Sequence, residues 1–365
     1  MLIQTRGLVL DRPHTPPVIE NVTVADPGPG EVRVRLVASG ICHTDISAVR
    51  DARFWPLLLG HEGAGIVDSV GAGVSHVQPG DPVMISWRVA CGHCDRCQQG
   101  RQDLCESVQT TAQPRVHRAS GERLHAMLNA GTFCEYAVVP ADGAIPIRRH
   151  MPLETAALVG CAVATGIGAV LHTARVQPGQ SVAVFGAGGV GLNVVQGARL
   201  ALAGLIVAVD RVESKLRSAK AMGATHGIRA GEGDPLKTIL ELTGGRGVDH
   251  AFEVVGHPEV MAQALEILAP GGKLTLVGAA ARDAVLSFRP RAFMSKQQTI
   301  QGCIYGSCRP PVDFPLFVDW YMKGQLRIDE LLTGAITLDE LPSFFETETP
   351  PQAIRTIVKF GQVPS

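Results

Sequence analysis

The apolar run Val182-Ala183-Val184-Phe185 leads directly into Gly186-Ala187-Gly188-Gly189-Val190-Gly191 and then into a segment with helical apolar spacing. A strand that ends in G-x-G-x-x-G and turns straight into a helix constrains its surroundings strongly. The helix must cross back so that the next strand starts alongside, which builds a parallel sheet. Gly186 allows the tight turn, Gly188 lets the backbone approach a pyrophosphate, and Gly191 lets helix and strand pack closely. The N-terminus of the helix that follows attracts phosphate charge. The next apolar run ends at Asp210, which is placed to accept hydrogen bonds from both hydroxyls of an adenosine ribose and to repel a 2′-phosphate. NAD is therefore favoured over NADP. Arg211 pulls the other way, since an arginine in this turn could pair with such a phosphate. A lone glycine pattern would also suit an ordinary sheet turn; strand, helix and terminal acid together point to a dinucleotide.

The chain around this turn alternates strand and helix. Strands are expected at 181–185, 205–209, 225–228, 249–254, 273–277 and 299–304, with helical stretches between most of them, which implies a parallel sheet with helices on both faces. The first half reads differently. Val32, Val34 and Leu36 alternate with Arg33 and Arg35, and extended runs follow at 65–70 and 82–87. Short strands at such intervals suggest a compact barrel or sandwich. The polar stretch 113–131 reads as a long loop with some turn structure, 153–174 as a helical run and 315–323 as a further helix.

At 365 residues the chain is long enough for two domains. A net charge of -1 with no block of like charges argues against nucleic acid and anionic membranes as partners. No export signal is visible, and no uninterrupted apolar stretch reads as long enough to span a bilayer. Nine cysteines, an odd number, suggest reduced thiols and a cytoplasmic protein rather than a disulfide framework.

Four of those cysteines, Cys91, Cys94, Cys97 and Cys105, follow C-x2-C-x2-C-x7-C. Four thiolates at this spacing fit a closed, tetrahedral structural zinc. Iron–sulfur ligation is disfavoured by the long last gap and by Glu106 where a proline would follow. His93 reads as a solvent-facing loop residue. Cys42, His61 and Cys161 offer two thiolates and one imidazole, a set that leaves a fourth position open. Closed sites hold structure and open sites do chemistry. By spacing alone, however, these three residues read equally well as small or satisfied core residues.

Gly60-His61-Glu62-Gly63-Ala64-Gly65-Ile66-Val67, the four-cysteine lobe and the Gly186–Gly191 turn together resemble the zinc-dependent alcohol dehydrogenases of the medium-chain dehydrogenase/reductase superfamily. The resemblance covers nearly the whole chain in the same order. It implies an α/β fold in which a GroES-like, β-rich catalytic domain (1–163 and 303–365) is split around a Rossmann domain (164–302) with a doubly wound parallel sheet, the active site lying in the cleft between them. It implies two zinc ions per chain and NAD. Cys42, His61 and Cys161 match the catalytic zinc ligands, Glu62 the acid behind that zinc, and Asp45 the carboxylate that orients the histidine. Thr44 matches the hydroxyl that contacts the alcohol oxygen. His43 and Arg355 match positive groups on the pyrophosphate, Thr165, Val190, Val254 and Val277 positions around the nicotinamide, and Lys215 a residue near the ribose. The valines taken singly read as core.

The implied reaction is hydride transfer from an alcohol whose hydroxyl is acidified by the metal. Ser47 departs from the family, standing where many relatives carry a histidine that ends the proton relay; the relay then ends in water or at His43. Trp87 matches a pocket position that is aromatic in many relatives, and Phe54 and Trp55 are either pocket or core. The expected substrate is a primary alcohol with an apolar body, or its aldehyde. A thiol-dependent, mycothiol-type formaldehyde dehydrogenase is the second reading, with Arg88, Arg115 and Arg309 as contacts for a polar thiol; Gln109 counts against glutathione. A non-catalytic zinc protein of the same fold is the third. The long stretch between Cys105 and Phe133 resembles that of dimeric members and implies a homodimer. Cys134, Cys303 and Cys308 have no assigned role, and His14, His76, His117, His125 and His226 are expected at the surface.

Overall fold

Strand Glu31–Ile41 organises the first part of the molecule. One of its edges pairs antiparallel with Glu62–Val70 along most of its length, in a register that sets Gly40 opposite Glu62. Its other edge is shared. Tyr136–Pro140 takes the first half, and Arg355–Lys359, from the far end of the chain, takes the second, with Thr356 opposite Ile41. The sheet continues outward through Pro82–Ile85 and Ala144–Pro146 on one side and Leu332–Thr337 on the other. A second, five-stranded sheet packs its own core of Val9, Val22, Leu58 and Val116. The structure is a computed structural model, and it describes residues 2–113, 115–347 and 350–361.

One local expectation needs correction. The segment 113–131 is not simply loop. It carries strands Val116–Arg118 and His125–Ala126, which close the two edges of the five-stranded sheet, held by buried Val116, Leu124 and Met127. Arg33, which alternates with the apolar residues of its strand, is only 6% exposed, because Asp68 and Asp26 neutralise it at 2.6 and 2.9 Å. Charged side chains are buried when paired in this way.

The chain divides into two compact units, one made of residues up to Cys161 and from Arg309 onward, the other of Ala162–Cys308. In the second unit six parallel strands form one sheet: β1 (Ser181–Phe185), β2 (Leu205–Asp210), β3 (His226–Arg229), β4 (Val248–Glu253), β5 (Leu268–Leu276) and β6 (Thr299–Gly302). Their spatial order is β3-β2-β1-β4-β5-β6. This is the doubly wound Rossmann arrangement, with its topological switch point between β1 and β4. Its core is apolar on both faces of the sheet, as buried parallel strands require, with Ala183, Phe185, Val207, Val209, Ala251 and Leu274 on one face and buried Val182, Val184, Ala208 and Phe252 on the other.

Helix Leu153–Ala174 has 22 residues and an 18-residue window of mean hydropathy 1.7, so the chain does contain one helix long and apolar enough to cross a membrane. Its most apolar window is 83% buried within the protein, which makes it a core helix. It widens into π-helical turns at Val159–Val163 and Ala169–Ala174. Such turns cluster at functional positions, and Cys161 stands in the first of them.

Gly40 tests the packing that this register imposes. A Cβ at Gly40 would lie 2.3 Å from Glu62 Oε2 and 3.2 Å from Glu62 Cβ. Gly40→Ala is expected to lower stability by about 1–3 kcal/mol, the cost of overpacking a tight interior. Denaturant unfolding of the two proteins measures it, and an unchanged midpoint would show that Glu62 has room to move.

Candidate functional site

The metal cluster is assembled by two chain turns that the central strand brings together. Helix His43–Asp51 starts as soon as strand Glu31–Ile41 ends, with Cys42 at its N-cap. His61 immediately precedes the strand that pairs with Glu31–Ile41. Asp45, fully buried, joins the two: Oδ2 accepts the backbone N–H of Cys42 at 2.8 Å, and Oδ1 lies 3.0 Å from His61 Nδ1. The first bond satisfies a donor at the helix start. The second fixes the imidazole so that Nε2 is the nitrogen left free. Cys161 approaches from the π-helical turn. The ligand atoms of Cys42, His61, Glu62 and Cys161 all lie within 4.8 Å of one another, and all four residues are buried.

The electrostatics of this set are those of a cation site. The hydrogen bond with Cys161, aided by His61, holds the Cys42 thiol well below the usual range. The same hydrogen bond, together with burial, pushes Cys161 up. Burial works against a charged His61, but the Asp45 carboxylate together with Cys42 outweighs it and raises the imidazole. Burial pushes Glu62 up to about 7, against the pull of Arg355. Glu62 is ion-paired with Arg355, while its Oε1, 3.8 Å from His61 Nε2, has no hydrogen-bond partner. Two sulfurs, one imidazole nitrogen and an orphaned buried carboxylate oxygen within one small volume fit a divalent, thiolate-binding ion such as zinc.

The second cluster is self-contained. The sulfurs of Cys91, Cys94, Cys97 and Cys105 lie within 4.8 Å of one another. Cys91 Sγ accepts the N–H of Cys94 at 3.3 Å, and Cys105 Sγ accepts the N–H of Cys91 at 3.2 Å. Backbone N–H groups of this kind stabilise thiolates. Cys94 is lowered to about 6 by the backbone at Glu106 and Cys97, whereas burial pushes Cys97 up to about 12. Arg88 spans the lobe, donating to the carbonyls of Asp103 and Cys105 at 3.3 Å each. His93 stays outside, exposed, with Nδ1 2.9 Å from the Cys91 carbonyl. Four sulfurs with no open position fit a structural zinc.

The glycine turn closes the carboxyl end of β1. Gly186 has φ +100°, and a Cβ on Gly191 would lie 1.8 Å from the Gly186 carbonyl oxygen, so neither position accepts a side chain. At Gly188 a Cβ would meet nothing within 4 Å. That is an open cradle, which fits a pyrophosphate. Asp210 is pinned in place: Oδ2 accepts from Ala187 N–H at 2.7 Å and Oδ1 from Val212 N–H at 2.9 Å. A carboxylate retains further lone pairs for ribose hydroxyls. Gly189 and Val190 open the helix Gly189–Leu200. Val254 and Val277, taken singly as core positions, are only partly buried at the carboxyl ends of β4 and β5. One residue that sequence reasoning missed ties their loops together. Buried Glu253 accepts Val277 N–H on its backbone oxygen at 2.9 Å and the N–H groups of Val255 and Gly256 on Oε1.

The remaining expected residues are placed as follows. Thr44 and Ser47 are partly buried on helix His43–Asp51, with Thr44 Oγ1 3.6 Å from Cys42 Sγ, and His43 is exposed. Thr165 and Lys215 are partly buried and Arg211 is exposed. Arg355 is only 7% exposed and sits on Glu62, within the metal cluster. Trp87 meets His61 edge-on, with ring centroids 6.5 Å apart. Phe54 and Trp55 are not core: they are 64% and 51% exposed, and Phe54 packs on His125. Arg115 is committed to Glu31 at 2.6 Å.

Residues 28–149 match the alcohol dehydrogenase GroES-like domain, and residues 189–323 match the zinc-binding dehydrogenase domain. Alcohol dehydrogenase 1 of Pisum sativum is 34% identical over 375 residues, covering 99% of this chain and 98% of its own. The chain belongs to the zinc-dependent alcohol dehydrogenase family of medium-chain dehydrogenases/reductases. An S-(hydroxymethyl)glutathione dehydrogenase of Escherichia coli is 36% identical to this dehydrogenase over 370 residues, 98% of this chain and 100% of its own. The crystal structure of benzyl alcohol dehydrogenase from Acinetobacter calcoaceticus matches with a TM-score of 0.89 and 30% identity, over 98% of this chain and 100% of the other. Two further matches carry nicotinamide cofactors. One is a zinc-binding dehydrogenase of Sinorhizobium meliloti bound to NADP (TM-score 0.84, 26% identity, 98% and 99% covered). The other is an Escherichia coli alcohol dehydrogenase with NADH (TM-score 0.82, 25% identity, 98% and 99% covered). The dehydrogenase is thus an oxidoreductase of a zinc-binding family, and these two structural relatives hold nicotinamide cofactors.

Asp45→Ala removes the partner of both the Cys42 N–H and the His61 ring. It is expected to weaken zinc binding by Cys42, His61 and Cys161 by about 10–100-fold, the usual effect of losing a group that orients a metal ligand. Competition with a chelator measures this; unchanged zinc retention would remove Asp45 from the account.

Proposed function

We propose that this dehydrogenase transfers a hydride from a primary alcohol with an apolar aliphatic or aromatic body to NAD, giving the aldehyde, and runs the reverse reaction. The observation that carries the reading is the buried set of Cys42, His61 and Cys161, with Asp45 fixing the first two. Two cysteines and a histidine with an open position are the known catalytic zinc set of alcohol dehydrogenases. Cys91, Cys94, Cys97 and Cys105 then hold a second, structural zinc. When bound, zinc acidifies the substrate hydroxyl and NAD takes up the hydride.

The chain's own groups supply the rest. Thr44, beside Cys42 Sγ, takes the hydroxyl proton and passes it outward along helix His43–Asp51. Ser47 cannot store a proton near neutral pH, so the route ends in water beside exposed His43. Trp87, edge-on to His61, forms an apolar wall for the substrate body. Asp210 selects NAD over NADP by repelling a 2′-phosphate. The protein works as a cytoplasmic homodimer on small molecules, with no nucleic-acid or membrane partner.

The second reading, a thiol-dependent formaldehyde dehydrogenase, is favoured by one observation: the 36% identical relative acts on S-(hydroxymethyl)glutathione. Two of the three arginines that would hold a polar thiol are otherwise engaged here, Arg88 on lobe carbonyls and Arg115 on Glu31. Gln109 donates to the Ala90 carbonyl at 2.9 Å.

NADH formation with benzyl, allyl and straight-chain alcohols, and with formaldehyde in the presence and absence of glutathione or mycothiol, separates the readings. Turnover of the apolar alcohols without thiol is expected. Turnover of formaldehyde with thiol, and of none of the alcohols, would establish the second reading instead. NAD is expected to be preferred over NADP by at least about tenfold, roughly 1.4 kcal/mol; a preference for NADP would refute the role given to Asp210.

A further inference from the structure

The parallel sheet has a second end. The glycine turn, Asp210, Val254 and Val277 follow the carboxyl ends of β1, β2, β4 and β5. Toward the amino ends of β1 and β4 there is a cavity of about 310 Å³, whose walls include Arg175, Gln177, Gln180, Asp249, His250 and Lys273. His250 and Lys273 are register partners on β4 and β5.

The wall carries unmatched positive charge. Its acid, Asp249, is fully used: Oδ1 binds Arg246 at 2.8 Å, and Oδ2 accepts from the Ser181 N–H at 2.8 Å and the Ser181 hydroxyl at 2.7 Å. Arg175 donates from Nε to the His172 carbonyl at 3.4 Å. Among the described residues, neither Arg175 nor Lys273 has a carboxylate partner.

The hydrogen-bond pattern then fixes what else the cavity offers. Gln180 Oε1 accepts the backbone N–H of Gln177 at 2.8 Å, so that atom is the amide oxygen. His250 Nε2, 2.9 Å from the same oxygen, must therefore carry its ring proton. That makes His250 Nδ1 a lone pair, and it is buried with no donor. Burial, aided by the Lys273 ammonium, pushes the ring down to about 4, so the imidazole is neutral near pH 7. Two cations and the residue that carries the buried, unsatisfied acceptor line a single cavity.

We propose that this cavity binds a small oxyanion that still bears a proton, hydrogen phosphate or a phosphomonoester. Arg175 and Lys273 take the charge and His250 Nδ1 accepts the P–OH proton. The cavity lies at the opposite end of the sheet from the glycine turn, so the oxyanion and the dinucleotide bind together.

Calorimetric titration of the zinc-loaded protein, saturated with NADH to fill the glycine turn and held at constant ionic strength, tests this. Inorganic phosphate, sn-glycerol 3-phosphate and sulfate are the probes. Saturable binding of phosphate, glycerol phosphate or both is expected, with sulfate at least about tenfold weaker because it has no proton to give to His250. Tighter binding of glycerol phosphate identifies a phosphorylated metabolite as the occupant, and tighter binding of phosphate identifies the free ion. Lys273→Gln and Arg175→Gln, both at accessible positions, should each weaken binding by about tenfold or more while leaving the NADH affinity unchanged. Arg229→Gln, a surface cation elsewhere on the same sheet, should have no effect. Sulfate binding as tightly as phosphate, undiminished binding in Lys273→Gln, or no binding of either phosphate probe would overturn the proposal.

Discussion

The buried cluster of Cys42, His61, Glu62 and Cys161 depends on one further carboxylate. Asp45 accepts the Cys42 N–H on one oxygen and faces His61 Nδ1 with the other. The first contact caps the helix that presents Cys42. The second sets which imidazole nitrogen is free to bind a metal. Both depend on the register of two strands: Gly40 opposite Glu62 brings the end of one strand beside the start of the other. A one-residue slip would turn every side chain to the other face and separate the ligands.

The two cysteine clusters show how surroundings divide labour between similar donors. In the lobe, backbone N–H groups point at the sulfurs and Arg88 ties down nearby carbonyls, so the cluster closes on itself. In the other, Glu62 brings an acidic group with one oxygen unpartnered, and Arg355 supplies a buried counter-charge. Negative charge from Asp45, Glu62 and a thiolate would be costly in such a setting without cations nearby. Arg355 and His61 offset part of it, and a divalent ion held by the cluster would offset the remainder.

What could be read from the sequence was what is local. The glycine turn, the cysteine spacing and the six strands of the parallel sheet are carried by short segments whose periods are visible. Strands Val116–Arg118 and His125–Ala126 were not legible, because two or three residues carry no period. The burial of Arg33 depends on Asp26 and Asp68 arriving from other segments. Arg355 and Glu62 are 293 positions apart, so no spacing signal joins them. The resemblance suggested a cofactor contact for Arg355, and the fold places it on the acid of the metal cluster. Phe54 and Trp55 could not be sorted between pocket and core by composition; their exposure excludes the core. Glu253 gave no signal at all, since a single acid at a strand end is unremarkable until the two loops it holds are seen.

The central claim is that Cys42, His61 and Cys161 grip a zinc ion. Anomalous diffraction at the zinc edge, on crystals of the zinc-loaded protein, tests it directly. The account predicts one peak among the four lobe cysteines and another about 2.3 Å from the sulfurs of Cys42 and Cys161 and about 2.0–2.1 Å from His61 Nε2. A peak in the lobe alone, with Cys42, His61 and Cys161 ordered but no anomalous peak between them, would contradict it.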